Sequence, residues 1–420
     1  MIRKETLPNG LTLLTESMPD VRSVSVGVWL RRGSRDEPAR VNGISHFIEH
    51  LVFKGTESRS AREIALEMDT VGGQMDAFTS KEYTCFYAKV LDEHLDVAVD
   101  LLGDIVQRPL FDPTELERER RVVLEEIRMV EDTPDELLYD LFSDHFYPGN
   151  PLGRPIQGTE KTVSSLTRRQ LKRFFRSAYR PANMLIVAAG NLKHARMARL
   201  VRKAFSDLEV GRPSNGKPPR PRPRCGLVKR AKSELEQLHL LMGLPAFPQR
   251  LERRYTLHVL NTILGGTMSS RLFQRIREER GLAYSVYSGI NTFVDTGLLT
   301  IYGATSPGNA DEVARLVLGE LRELAAKGPT DPEVTVAKEH LKGSLMLGLE
   351  STSSRMSNLA RQEIYFGRQL TLEETLQGIE RVTRRKLHNQ ARAVLKGKKV
   401  GLAAVGRVDQ LKIKEKELVV

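Results

Sequence analysis

"GISHFIEHLVFKG", Gly43 to Gly55, places His46, Glu49 and His50 within five residues in an otherwise apolar run. On a helix, positions i and i+4 share a face, with Cβ atoms about 5–6 Å apart. His46 and His50 can therefore direct ring nitrogens at one ion, and zinc accepts imidazole nitrogen at about 2.0–2.1 Å. Glu49 lies three residues from His46, beside that face, where it is better placed as a general base than as a ligand. The order His-x-x-Glu-His inverts the zinc-protease order His-Glu-x-x-His, but supplies the same parts. The plainer reading is a helix with buried, satisfied histidines. Ile44, Phe47, Ile48, Leu51, Val52 and Phe53 make the helix apolar nearly all round. A buried His-Glu-His cluster without a partner is costly there, and a divalent cation supplies that partner.

A catalytic zinc site uses three protein ligands and a water, so a third ligand is needed. The helix-forming stretch "FDPTELERERRVVLEEIRMVED" offers glutamates. Glu125, with Arg121 and Arg128 a turn away, lies on a charged stripe. Glu126 has Val122, Val123, Met129 and Val130 as helical neighbours and reads as inward-facing. That favours Glu126 as ligand, with Glu119, two turns earlier on nearly the same stripe, orienting the site. The alternative is that Glu126 pairs with an arginine elsewhere.

Around these stretches the chain reads as two similar halves. "SVSVGVWL" alternates Val24, Val26, Val28 and Leu30 on one face, a half-buried strand. The helix with the histidines follows, then strands in "GGQMDAFTS" and "YTCFYAKV", three helices near 92–107, 114–131 and 134–146, and the strand "NMLIVAAG". The second half repeats the order: the strand "LHLLMGLPAF", helices near 252–264 and 270–279, strands "AYSVYSGI" and "GLLTIYGAT", helices near 310–326, 332–350 and 353–366, and the strand "KVGLAAVG". The expected fold is α+β: two homologous domains, each a largely antiparallel sheet with helices packed on one face. The proline-rich stretch 211–226 reads as the linker between residues 1–210 and 227–420. The second copy's counterpart of the histidine helix, "YTLHVLNTILGG", has only His258 as an ionisable group. The metal is therefore expected once per chain, in the first half.

The composition excludes several classes. Of 420 residues, 40% are hydrophobic and 28% charged, as in an ordered globular protein. The start, "MIRKETLPNGLTLL", lacks the apolar core of a signal peptide, and apolar runs are broken by charges before membrane-spanning length. A cytoplasmic location without membrane association is expected. Cys85 and Cys225 are the only cysteines, too few for a cysteine metal site. The net charge of +12 raises nucleic-acid binding, but the basic residues are interleaved with glutamates. The densest run, "RRKLHNQARAVLKGKK", has no aromatic stacking platform. A solvated basic surface and no nucleic-acid partner are expected.

With these motifs in order, the chain resembles the inverted-zincin peptidases of the pitrilysin and insulin-degrading-enzyme type, in the branch of mitochondrial processing peptidase and its bacterial relatives. The resemblance spans "TLPNGLTLLTESMPDVRSVSVGVWLRRGSRDE", "GISHFIEHLVFKGT", "GGQMDAFTSKEYTCFYAKV", "ERRVVLEEIRMVEDTPDE" and "GGTMSSRLFQRIREERGLAYSVYS". It implies one Zn2+ per chain on His46, His50 and a glutamate 76 residues beyond the second histidine, which lands on Glu126. It implies Glu49 as general base and Glu119 as a second acid near the site. It also implies that Arg277 and Tyr284 donate hydrogen bonds to the oxyanion of the scissile carbonyl. The edge strand with Asp76, Ala77 and Phe78 would take the peptide as a further strand. The family commonly has Asn where Asp76 stands, so an acid there bears on substrate preference or pH dependence. Relatives of this length assemble two chains into a chamber of four similar domains. The resemblance therefore implies a homodimeric zinc endopeptidase acting on short or unfolded peptides. Some relatives are non-catalytic scaffolds or partner subunits, which usually lack part of the zinc motif.

Overall fold

A computed structural model describes residues 1–208 and 219–420. Most of the expected linker, 211–218, lies outside the described residues. The first half forms a six-stranded sheet from β1 (Ile2–Thr6), β2 (Thr12–Ser17), β3 (Ser23–Leu30), β4 (Gln74–Thr79), β5 (Thr84–Leu91) and β6 (Met184–Gly190), in the order β1-β2-β6-β3-β5-β4. The second forms a five-stranded sheet from β7 (Leu227–Ala231), β8 (Leu238–Ala246), β9 (Ala283–Thr292), β10 (Gly297–Thr305) and β11 (Gly401–Gly406), in the order β7-β11-β8-β10-β9. Without β1 the two orders correspond strand for strand. Each sheet has one parallel pair, β2 with β6 and β11 with β7, and is otherwise antiparallel. The duplication expected from the sequence is thus present in the topology.

Helices were expected on one face of each sheet, but both faces are covered. Along β3, Val24, Val26, Val28 and Leu30 face the larger core, which includes Phe47, Ile48 and Leu51. Trp29 faces the other way and is fully buried with Leu14, Cys85, Met356, Leu359 and Ala360. Met356, Leu359 and Ala360 belong to the helix Thr352–Phe366. Gly27 shows how closely that helix lies, since a Cβ there would come within 3.0 Å of Met356 Sδ. β3 is therefore buried on both sides, not half-buried.

The second sheet is covered in the same way by the helix Pro134–Phe146. Its Leu138, Phe142 and Phe146 pack with Leu241, Tyr302, Ala403 and Val405. Each half of the sequence thus contributes a helix to the compact unit built on the other half's sheet. One unit comprises the described residues of Met1–Arg128, Pro155–Pro218 and Leu347–Gln369. The other comprises Met129–Arg154, Pro219–Met346 and Leu370–Val420. These units cut across the division at 211–226, because hydrophobic pattern shows that a helix buries a face but not which sheet receives it.

Phe142 fixes the second exchange, with a Cβ on Gly243 meeting its ring at 2.3 Å. Gly243→Ala is expected to lower unfolding free energy by about 1–3 kcal/mol, the usual cost of overpacking. Phe142→Leu should recover part of that loss in a double-mutant urea-unfolding cycle. Simple additivity would show that the two positions do not touch.

Candidate metal centre

The helix Ile44–Leu51 follows β3, and its first residue is preceded by Gly43 at φ +93°. A side chain at Gly43 would be strained, and its Cβ would lie 2.5 Å from the Gln157 carbonyl oxygen. Gly43 has no side chain with which to cap the helix. Glu37 supplies the missing acceptor: Gly43 N–H and Ser45 N–H both donate to its carboxylate at 2.8 Å, and Asn42 Nδ2 donates at 3.1 Å. Those bonds satisfy amides that a helix start leaves unpaired. Burial pushes the Glu37 pKa up to about 7, against the pull of these donors.

His46 and His50 present their Nε2 atoms to the same oxygen. Glu126 Oε2 lies 3.7 Å from His46 Nε2 and 3.5 Å from His50 Nε2. The three residues offer ligand atoms all within 4.8 Å of one another, the one such group among the described residues. Ligands about 2.1 Å from a tetrahedral ion stand roughly 3.4 Å apart, so these separations suit a zinc ion. The buried Nδ1 of His46 has no hydrogen-bond partner among the described residues. Burial, and next the neighbouring His50, pull the His46 pKa down to about 4, so its imidazole is the neutral, ligating form at pH 7. Donor set and spacing therefore fit the cation that the sequence implied.

Glu126 reaches the site from the helix Pro113–Asp132. Its expected inward neighbours Val122 and Met129 are in fact 43% and 62% exposed. The inward stripe consists instead of Glu119, Val123 and Glu126, one helical turn apart, with Val123 fully buried. Glu125 is outside that stripe and pairs with Arg128 at 2.5 Å. Glu126 pairs with no arginine among the described residues, and the hydrogen bond from His50, foremost, holds its carboxyl below the usual range. Glu119 Oε2 accepts from His50 Nδ1 at 3.2 Å, and its Oε1 pairs with Lys54 Nζ at 2.9 Å. With the proton on Nδ1, the Nε2 lone pair of His50 is left for a metal. Burial lowers the His50 pKa, but Glu126 and Glu119 more than offset it, and the net shift is upward.

Glu49 leaves the metal face and turns to β4, where Thr79 Oγ1 donates a short hydrogen bond to Glu49 Oε2. Burial pushes the Glu49 pKa up to about 6; the Thr79 bond and His50 lower it, while Asp76 and Glu126 raise it. β4 is the edge strand of its sheet, pairing only with β5 among the described residues. Asp76 and Phe78 face away from the helix, and Ala77 N–H donates to Asp76 Oδ1 at 2.7 Å. Thr79 and Glu37 were absent from the sequence reading. Strand alternation from Ala77 would have put Thr79 on the helix-facing side. A helix starting at glycine, without Ser, Thr, Asp or Asn, was the hint that a distant acid caps it.

Arg277 and Tyr284 belong to the second unit. Arg277 lies on a π-helical turn, Phe273–Glu278, and its guanidinium sits 4.9 Å from the Tyr284 ring centroid. Tyr284 is 78% exposed. The Arg277 guanidinium is thus held over the Tyr284 ring. On the helix Arg254–Gly265, the second copy's counterpart, His258 is exposed and no metal group forms among the described residues.

Residues 12–160 match the family described as Insulinase (Peptidase family M16), and residues 165–341 match Peptidase M16 inactive domain. The second description suits a half without a metal group. The chain is 44% identical to the uncharacterized zinc protease YmxG of Bacillus subtilis, with 93% of this chain and 95% of that protein covered. It is 45% identical to the uncharacterized zinc protease Rv2782c of Mycobacterium tuberculosis, over 96% of this chain and 93% of that one. Among solved structures, a protease from Helicobacter pylori has the same fold at 23% identity and a TM-score of 0.89, covering 96% of this chain and 99% of its own. A chain of Complex III2 from Candida albicans matches at 20% identity and a TM-score of 0.89, covering 100% of both.

Glu119→Gln is expected to weaken zinc binding by about 10–100-fold, the usual cost of losing a partner that orients a ligand. Chelator competition on the purified chain measures this. Unchanged affinity would remove Glu119 from the site.

Proposed function

The chain belongs to the M16 peptidase family, and on that premise we propose that it is a zinc endopeptidase whose chemistry is centred on Glu49. The convergence of His46, His50 and Glu126 beside a carboxylate of raised pKa carries the reading. A zinc ion held by those three residues would polarise a peptide carbonyl and lower the pKa of a water towards about 7.

The protein's own groups do the rest. Thr79 fixes one oxygen of Glu49 by hydrogen bonding and leaves the other free to take a proton from water. Glu49, with a pKa of about 6, is ionised at neutral pH yet basic enough for that task. It then passes the proton to the nitrogen of the leaving amine. Arg277 and Tyr284 donate to the oxyanion of the reacting carbonyl, a contribution on the order of 3 kcal/mol per donor in other enzymes. The substrate adds as a strand along β4, beside Asp76, Ala77 and Phe78, its backbone bonding to the unpaired edge. Short or unfolded peptides suit this mode, since an added strand must be extended.

Two copies forming a closed chamber, in the cytoplasm, complete the proposal, supported by the sequence resemblance. No described helix is long and apolar enough to cross a membrane. A non-catalytic scaffold role is disfavoured because the ligand set, the base and the Arg-Tyr pair are all present.

Glu49→Gln is expected to retain one zinc per chain and lose hydrolysis of a quenched-fluorescence peptide by about 10²–10⁴-fold, the usual contribution of a general base. Full activity in that variant would sink the assignment. The acid limb of kcat/KM should follow Glu49, because the base must be ionised. Asp76 raises the Glu49 pKa and Thr79 lowers it. Asp76→Asn should therefore move the limb to lower pH, and Thr79→Val to higher pH. Shifts in one common direction, or none, would remove Glu49 as the titrating group.

A further inference from the structure

The face of the first sheet opposite the helix of His46 and His50 contains a cavity of about 360 Å³. Phe78 of β4 and Tyr87 of β5 form one wall, and the helix Thr352–Phe366 forms the other with Ser353, Ser357, Asn358 and Arg361. Ser353 bonds Ser25 at 2.9 Å. Ser357, Asn358 and Arg361 make no side-chain hydrogen bond or ion pair among the described residues. Arg361 is exposed, and its charge is felt at the phenols of Tyr83 and Tyr365. Glu82, which accepts from Tyr365, is already paired with Arg35 at 2.6 Å. A cation and two neutral hydrogen-bonding groups thus line one cavity whose lining holds no acidic residue.

Strand geometry connects this cavity to substrate. Side chains along a strand alternate between faces, so a peptide paired with β4 directs every second side chain to the helix that carries His46 and Glu49. The others point to the face of Phe78, over the cavity. We propose that the cavity is a carboxylate-binding subsite: Arg361, with Ser357 and Asn358, holds an acidic side chain of the bound peptide or its C-terminal carboxylate. The guanidinium offers a planar fork of donors that matches a carboxylate. Asp76 shares this face, opposite Tyr87 in register, and repels an anion from that end. The carboxylate is therefore placed at the helix wall, beside Arg361. The inference rests on the peptidase reading, and goes beyond it by naming a substrate preference.

The test is equilibrium binding of fluorescein-labelled peptides to the zinc-loaded Glu49→Gln chain, which requires no cleavage. Glu is compared with Gln at successive positions, and a free with an amidated C-terminus. One position, or the free terminus, should bind about tenfold more tightly than its neutral counterpart, as expected for a charge-assisted bond. The two series distinguish a side-chain from a terminal carboxylate. Arg361→Ala should bring the pair to parity, and Arg361→Glu should reverse the preference. The subsite is overturned if no position prefers the carboxylate, if no peptide binds, or if the preference survives Arg361→Ala. Failure of the peptidase reading shows separately, as wild-type chain that binds these peptides without hydrolysing them.

Discussion

A buried carboxylate holds the start of the helix on which the site is built. The helix Ile44–Leu51 is eight residues long, too short to be stable alone, and its glycine start supplies no cap. Glu37 accepts two backbone amides there, while Ile44, Phe47, Ile48 and Leu51 lock the helix into the core. Only then do His46 and His50 face Glu126, and Glu49 face Thr79. Glu119 ties the second helix back to His50, so the two helices are joined through the ring that must present its Nε2. Each of these contacts carries a polar group into a setting that would be costly without its partner. The arrangement is therefore one of mutual dependence, from the cap to the cluster of His46, His50 and Glu126.

The fold and the duplicated topology share one origin. Two copies of a strand-helix-strand unit give sheets with the same strand order, and a helix from each copy covers the other's sheet. This exchange explains why Gly27 and Gly243 stand under Met356 and Phe142, where larger residues have no room. One copy holds a group that could bind a metal, and no such group forms among the described residues of the other. The counterpart helix contributes Leu257, Leu260, Ile263 and Leu264 to its interior, and packing needs no more than that. Its unit carries instead the stacked Arg277 and Tyr284.

Much of the site was legible in the sequence because its determinants are local. The spacing of His46 and His50 is a helical repeat, and β3 to β6 have apolar patterns that end near the observed boundaries. Glu126 does lie beside His46 and His50, but two of its expected inward neighbours are exposed, and the stripe passes through Glu119 and Val123 instead. What was not legible depends on distance in sequence. Glu37 caps a helix from outside it, Thr79 meets Glu49 across 30 residues, and the Thr352–Phe366 helix lies on a sheet whose strands end by Gly190. The short strands β1, β2 and β7 were also missed. β1 and β7 are mostly exposed edge strands, and a solvated edge leaves little hydrophobic pattern to read.

The proposed mechanism requires one zinc ion per chain, held in the first half. Titrating zinc into the metal-free chain while following hydrolysis of a quenched-fluorescence peptide tests it most directly. The rate should rise linearly and break at one equivalent per chain. No hydrolysis at any zinc concentration, or a break at two equivalents, would contradict it.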